Sequence, residues 1–173
     1  KSGSGKSTLL DLITLLNYPI RGEVLINGID ASEVDKYSYW KRISLINQNS
    51  TLIKGTIKEN ITMGLKFSNA EIISICKQTL IYDWIQSLPD KLDTVVGEKG
   101  AKISGGQLQR ILIARCLITL PDVLILDEAT NALDHENLLS INKLINNLNG
   151  KLLIIIISHN QDNLPKIDKF ITT

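Results

Sequence analysis

Apolar residues fall along this chain in two rhythms. Short runs rich in branched side chains, "EVLIN" at 23–27, "ISLIN" at 43–47, "VLILD" at 123–127 and "LLIIII" at 152–157, read as strands. The last two lack polar alternation, which predicts strands of a parallel sheet covered on both faces. Between these runs the apolar spacing becomes helical, over 6–17, about 70–80, 106–119 and 135–148. Strand and helix in turn predict an α/β fold with a mostly parallel sheet. The stretch from about 69 to 119 is predominantly helical and lies between two strands. The expected organisation is therefore a core over 1–68 and 120–173 with a helical subdomain inserted at 69–119. No internal repeat, low-complexity tract or disordered linker interrupts the pattern.

Composition narrows the function classes. With 173 residues the chain is one domain or a large part of one, and its net charge of +1 offers no basic field for nucleic acid. Cys76 and Cys116 are isolated, without a C-x-x-C pairing, so reduced thiols are expected rather than a disulfide or a metal site. His135 and His159 are too few for a histidine-built metal centre. The apolar run at 152–157 is far too short to span a bilayer. Without a starting Met or a signal peptide, the chain reads as an internal stretch of a longer protein.

Candidate chemistry starts at the first residue. "KSGSGKST" at 1–8 agrees with seven of the eight positions of the phosphate-loop pattern G-x-x-x-x-G-K-[ST]; the first glycine would fall one place before Lys1. Gly3 and Gly5 free the backbone to turn successive N–H groups inward at a phosphate. Lys6 would reach the terminal phosphates and the Ser7 hydroxyl would bind Mg²⁺. Leu9, Leu10, Ile13 and Leu16 follow at helical spacing, so a helix N-terminus adds its positive end to the loop. The plainer alternative is a Gly/Ser turn before an ordinary capped helix.

Three further candidates follow predicted strands, where open α/β sheets gather ligands. Gln48 follows "ISLIN"; its amide can coordinate Mg²⁺ and meet a nucleophilic water, although such a residue taken alone is an ordinary surface glutamine. "VLILDE" ends a buried strand in two carboxylates, Asp127 and Glu128, which cost desolvation unless a cation or proton balances them. Asp127 suits a Mg²⁺ shell, and Glu128, expected on the other side, can polarise a water. A helix N-cap with a first-turn acid is the competing account. His159, in "IISHN", can donate to a γ-phosphate oxygen and hold Glu128 in place. Finally, "ISGGQLQR" at 103–110 sets Ser104, Gly105 and Gly106 before an apolar helix carrying Ile111, Ala114, Leu117 and Ile118. This is a second anion site, with only one lysine-bearing loop in the chain. The economical explanation is that it serves the nucleotide of a partner chain.

In this order the motifs resemble the nucleotide-binding domain of ABC transporters. "KSGSGKST" is similar to Walker A, "INQ" ending at Gln48 to the Q-loop, "ISGGQLQR" to the signature, "LILDE" to Walker B, "ATNALD" to the D-loop and "ISH" to the switch histidine. The resemblance implies a RecA-like P-loop core with a helical subdomain, and a head-to-tail dimer with two ATP molecules between Walker A of one chain and the signature of the other. It implies catalytic roles for Glu128, His159 and Gln48. Nucleotide contacts fall to Ser2, Gly3, Ser4, Gly5, Lys6, Ser7, Thr8, Ser104, Gly105, Gly106, Gln107 and Asp134, and Mg²⁺ to Ser7, Gln48 and Asp127. Ile103, Asn131 and Asn160 depart from the usual residues without removing a catalytic group.

"GTIKENI" at 55–61 and "LPDKLDTVVGEKG" resemble exporters, most of all those of peptides and bacteriocins. What the resemblance then implies is an ATP-hydrolysing domain at the cytoplasmic face of the cell membrane, driven against a transmembrane domain of the same or a partner chain. Residues 49–66, including Leu52, are expected to receive a helix of that domain, with Glu98 nearby. Lipid or multidrug export, and a soluble ABC ATPase, are the alternatives. The truncation is expected at both ends, removing the strand before the phosphate loop and the elements after Thr173.

Overall fold

A computed structural model describes residues 5–97, 102–129, 133–159, 164–169 and 171. Ser2, Gly3 and Ser4 lie outside the described residues, as do Glu98, Asn131 and Asn160. The elements in chain order are α1 (Lys6–Ile13), β1 (Leu25–Ile26), β2 (Ile29–Asp30), α2 (Lys36–Trp40), β3 (Ile43–Ile46), β4 (Gly55–Thr56) and α3 (Ile57–Thr62). Then come α4 (Asn69–Gln78), α5 (Tyr82–Ser87), a 3-10 turn (Lys91–Asp93), β5 (Val95–Val96), α6 (Gly105–Leu117), β6 (Val123–Asp127), α7 (His135–Leu148) and β7 (Leu153–Ile157).

The central sheet is parallel, in the order β3-β6-β7. Its register sets Ile46 beside Leu126 and Asp127 beside Ile157, so the three strands end at one level. β6 is the middle strand, and Leu124 and Ile125 on its opposite faces are fully buried. β7 is different. Its residues Ile154–Ile157 are only half-buried and Leu153 is 60 % exposed, so the expected cover on both faces is met for β6 alone. The run at 23–27 also departs from the expected role. Only Leu25 and Ile26 form a strand, and they pair antiparallel with Ile29 and Asp30 across a tight Asn27-Gly28 turn, outside the parallel sheet. Both turn residues have positive φ, 52° and 82°, the geometry that favours Asn-Gly in a two-residue hairpin.

The long helical segment forms as its caps dictate. Thr56 with Glu59, Ser68 with Glu71 and Ser104 with Gln107 each make a reciprocal capping box that starts α3, α4 and α6. The helical layer begins at α3, before position 69, and β4 closes it by pairing with β5. α6 packs on α3 and α4 on one side and on β3 and α7 on the other. One continuous apolar cluster therefore runs from Ile57, Ile72 and Ile85 through Ile111 and Ile113 to Leu124, Ile141 and Leu144. Arg115 stitches this layer together. Its guanidinium donates to the Asn60 carbonyl at 2.7 Å, to Asn60 Oδ1 at 2.8 Å and to the Thr51 carbonyl at 3.2 Å. Asn60, fully buried, in turn receives the Ile53 amide and donates to the Ile53 and Thr56 carbonyls. Cys76 and Cys116 are free buried thiols, and burial raises both to about 11.

Candidate functional site

The carboxyl ends of β3, β6 and β7 bring the sequence candidates to one edge. Gln48 is exposed two residues after β3, in a turn closed by the Ser50 amide on the Asn47 carbonyl at 3.0 Å. Asp127 is the last residue of β6, and Glu128 follows with φ 52°, a left-handed backbone that is unusual outside glycine and turns its side chain off the strand direction. The Glu128 amide still donates to the Ile157 carbonyl at 2.9 Å, so the bend is held by β7.

α1 supplies the cation. Gly5 stands at its N-cap with φ 83°, a value glycine adopts without steric cost, and Lys6 opens the helix. The other end of α1 is tied by α2. Tyr39 donates its hydroxyl to the Ile13 carbonyl at 2.8 Å, and Trp40 donates Nε1–H to the Thr14 carbonyl at 2.7 Å. Lys6 Nζ lies 2.8 Å from His159 Nδ1 and 3.1 Å from Nε2, and His159 Nε2 lies 2.5 Å from Glu128 Oε1. An ammonium only donates, so Nδ1 must accept and the ring proton belongs on Nε2, pointing at the Glu128 carboxylate. Lys6, His159 and Glu128 thus form one chain of donors and acceptors across α1, β7 and β6. Glu128 is largely covered, with a side chain 16 % exposed, while His159 is 44 % exposed.

Beside this chain, burial raises the Asp127 carboxyl above the usual range and the neighbouring Glu128 charge adds to it; Lys6 and His159 oppose the shift. The site therefore still favours a cation. The donor set of the Ser7 hydroxyl, Gln48 amide and Asp127 carboxylate consists of hard oxygens, which suits Mg²⁺ completed by phosphate and water. Among the described residues no group of three His, Cys, Asp or Glu side chains makes an all-protein metal cage.

The second small-residue stretch is built by packing as well as by capping. Ser104 receives the Gln107 amide at 3.2 Å while Gln107 Oε1 accepts from the Ser104 amide at 2.9 Å, so these two side chains hold the start of α6. Gly106 lies tight against α7, because a Cβ there would sit 2.0 Å from Asn137 Oδ1 and force that side chain to move. Asp134 caps α7, accepting from the Asn137 amide at 2.9 Å and from its Nδ2 at 2.8 Å, bonds that lower its carboxyl. Gly105 faces a cleft of about 290 Å³ shared with Gln48, Glu128 and Gln109.

Sequence reasoning missed three things here: the left-handed Glu128, the Arg115–Asn60 network and α3. Only α3 carried a usable signal, the Thr56-x-x-Glu59 box. Leu52 packs partly buried against the apolar cluster, whereas Ile53, Met63 and Leu65 in the same segment are exposed.

A parallel sheet whose carboxyl edge gathers a helix-capping glycine, a lysine, two carboxylates and a histidine defines a P-loop nucleoside-triphosphatase fold. The ABC transporter family matches residues 1–131. The chain is 40 % identical over 171 residues to "ABC-type transporter fsqE" of Aspergillus fumigatus and 42 % identical over 173 residues to "ABC multidrug transporter MDR1" of Cryptococcus neoformans. Each comparison covers 97 % of this chain but only 13 % and 12 % of those proteins, so the chain spans about an eighth of their length. A solved bacterial Atm1-family ABC exporter with ATP bound superposes with a TM-score of 0.81 at 38 % identity, over 92 % of this chain and 28 % of that one. The chain belongs to the ABC transporter family, and its fold is that of the family's ATPase domain.

Proposed function

We propose that this domain binds and hydrolyses ATP and thereby drives export through a membrane domain. The observation that carries the reading is the Lys6–His159–Glu128 chain set against the partly desolvated Asp127. On nucleotide binding, Lys6 exchanges His159 for phosphate oxygens, aided by the backbone of the loop that ends at Gly5. Glu128 takes a proton from the attacking water, and the Nε2–H of His159 fixes its carboxylate. Ser7, Gln48 and Asp127 would hold Mg²⁺, which supplies charge neutralisation at the phosphates. Ser2, Gly3, Ser4 and Thr8 complete the phosphate loop in this reading.

The α6 N-terminus, with Ser104, Gly105, Gly106 and Gln107, takes the nucleotide of a second domain in a head-to-tail dimer, and Asp134 lies in the adjoining segment. Exposed Ile53, Met63 and Leu65 supply the apolar surface for a membrane-domain helix at the cytoplasmic face. Because Leu52 packs inward, Ile53→Asp is the better probe of that contact: it should uncouple transport and leave basal turnover unchanged.

For cargo, "LPDKLDTVVGEKG" supports a peptide or bacteriocin, while the multidrug names of relatives 42–47 % identical support multidrug export at least as well. Stimulation of turnover in the reconstituted full-length protein by one class and not the other decides between them. The ATPase reading itself is tested by titrating Mg-ATP into the full-length protein and its Lys6→Ala variant. Losing a charge-assisted bond worth about 1.5–3 kcal/mol should weaken binding by roughly tenfold to a hundredfold. Equal affinity of the two proteins would refute the role of Lys6.

A further inference from the structure

One buried polar group at the cleft is left over by the reading above. Gln109 sits on α6, 6 % exposed, and its Nε2 has no hydrogen-bond partner among the described residues. Two other enclosed atoms share that state, Thr94 Oγ1 and Arg110 Nε. Thr94 lies away from the cleft, and Arg110 already donates through another nitrogen to Ser140 Oγ at 2.8 Å. Gln109 alone of the three lines the cleft that contains Gln48 and Glu128.

The surroundings make a glutamine costly. Its neighbours along the helix, Ile111, Leu112 and Ile113, are buried in the apolar cluster, so an apolar side chain would pack here without an orphaned donor. Across the cleft stands the turn after β3, in which Asn47 Oδ1 accepts from the Asn49 amide and from Ser50 Oγ, both at 3.1 Å. That turn is closed by its own hydrogen bonds and carries Gln48 exposed. A donor enclosed without a partner on one wall, facing a preformed turn on the other, gains its bond when the walls approach.

We propose that Gln109 is a positioning residue of the nucleotide site: its amide pairs with the turn at 47–50 when nucleotide brings that turn against α6, and this fixes Gln48 beside Glu128. The inference rests on the ATPase reading. It assigns α6 two tasks, one at its first turn and one at Gln109, a helical turn further along, so that closure of the cleft and alignment of Gln48 become one event. The enclosed donor of the open form is relieved only in the closed form, which favours closure.

Gln109→Met tests it, because methionine keeps the length and flexibility of the side chain and removes the donor. In the full-length protein, kcat for ATP should fall about tenfold to a hundredfold, the usual effect of a slightly misplaced reacting group, with KM within about twofold of wild type. The melting temperature without nucleotide should be unchanged or higher, since an unpaired buried donor has gone, while the rise on adding Mg-ATP should shrink. A merely structural amide gives the opposite result, a lower melting temperature without nucleotide and an unchanged kcat, and that overturns the proposal. Wild-type-like kcat with unchanged stability overturns it too. Absence of turnover in the wild-type protein removes the ATPase reading and the inference with it, an outcome separate from a normal wild type beside an unaffected variant.

Discussion

Between α3 and α6 the buried Asn60 amide and the Arg115 guanidinium are paired, whereas at the carboxyl ends of β6 and β7 two carboxylates are set against each other. Asn60 satisfies both ends of its amide and holds Arg115, and the helices on either side begin with reciprocal caps. Asp127 and Glu128, by contrast, stand side by side with Lys6 and His159 near them among the described residues. The first arrangement lowers the free energy of the fold in itself. The second costs stability and makes sense as a site that a ligand completes. One chain thus separates a layer that sets position from an edge that does chemistry, and α6 belongs to both.

The comparison breaks if substitutions in the helical layer away from the cleft change turnover while leaving stability alone. The largest effect on stability should come from Ile111→Ala, which empties a fully buried position on α6, the helix packed on both α3 and β3. We expect a loss of about 2–5 kcal/mol by denaturant unfolding of the full-length protein. Asn60→Ala should follow at about 3 kcal/mol, because it removes the Oδ1 that accepts from one Arg115 nitrogen and from the Ile53 amide, both partly buried. Ser68→Ala removes one cap from α4 and should cost about 1 kcal/mol. None of these three should alter kcat for ATP under conditions where the variant is folded.

The edge should respond with the opposite sign. Asp127 has a raised carboxyl in the folded protein, so folding stability falls as pH climbs from the unfolded value near 3.9 through the folded one. Asp127→Asn should therefore melt slightly higher than wild type at pH 7, and the difference should vanish below about pH 4, where both states are protonated. Adding Mg-ATP should reverse the order, stabilising wild type and not the variant. Smallest of all, Cys76 and Cys116 should stay unlabelled by thiol reagents at neutral pH until the protein unfolds, because burial holds both near 11.

The same division explains what the sequence disclosed. α1, α4, α6 and α7 and the strands β3, β6 and β7 were legible because their periodicity is strong and their neighbours along the chain punctuate it. Gln48, Asp127, Glu128 and His159 were legible as a group because each lies at or within two residues of the carboxyl end of a strand of one parallel sheet. The hairpin at 25–30 was read as a longer strand, since a two-residue ladder has too little alternation to show, although Asn27-Gly28 marked the turn. The bond between Arg115 and Asn60 joins residues 55 positions apart with no motif at either end. The turn of Glu128 into left-handed backbone is equally silent in sequence, because the Ile157 carbonyl that accepts from its amide comes from a distant strand, β7.

The central claim is that the strained, covered Glu128 is the group that activates water. Glu128→Gln in the full-length protein keeps the side-chain shape and removes the base. ATP turnover should fall by roughly 10²–10⁴-fold, the usual worth of a general base, while Mg-ATP still binds with wild-type affinity and nucleotide-bound dimers accumulate. Turnover within about threefold of wild type, set against that same range, would contradict the account directly.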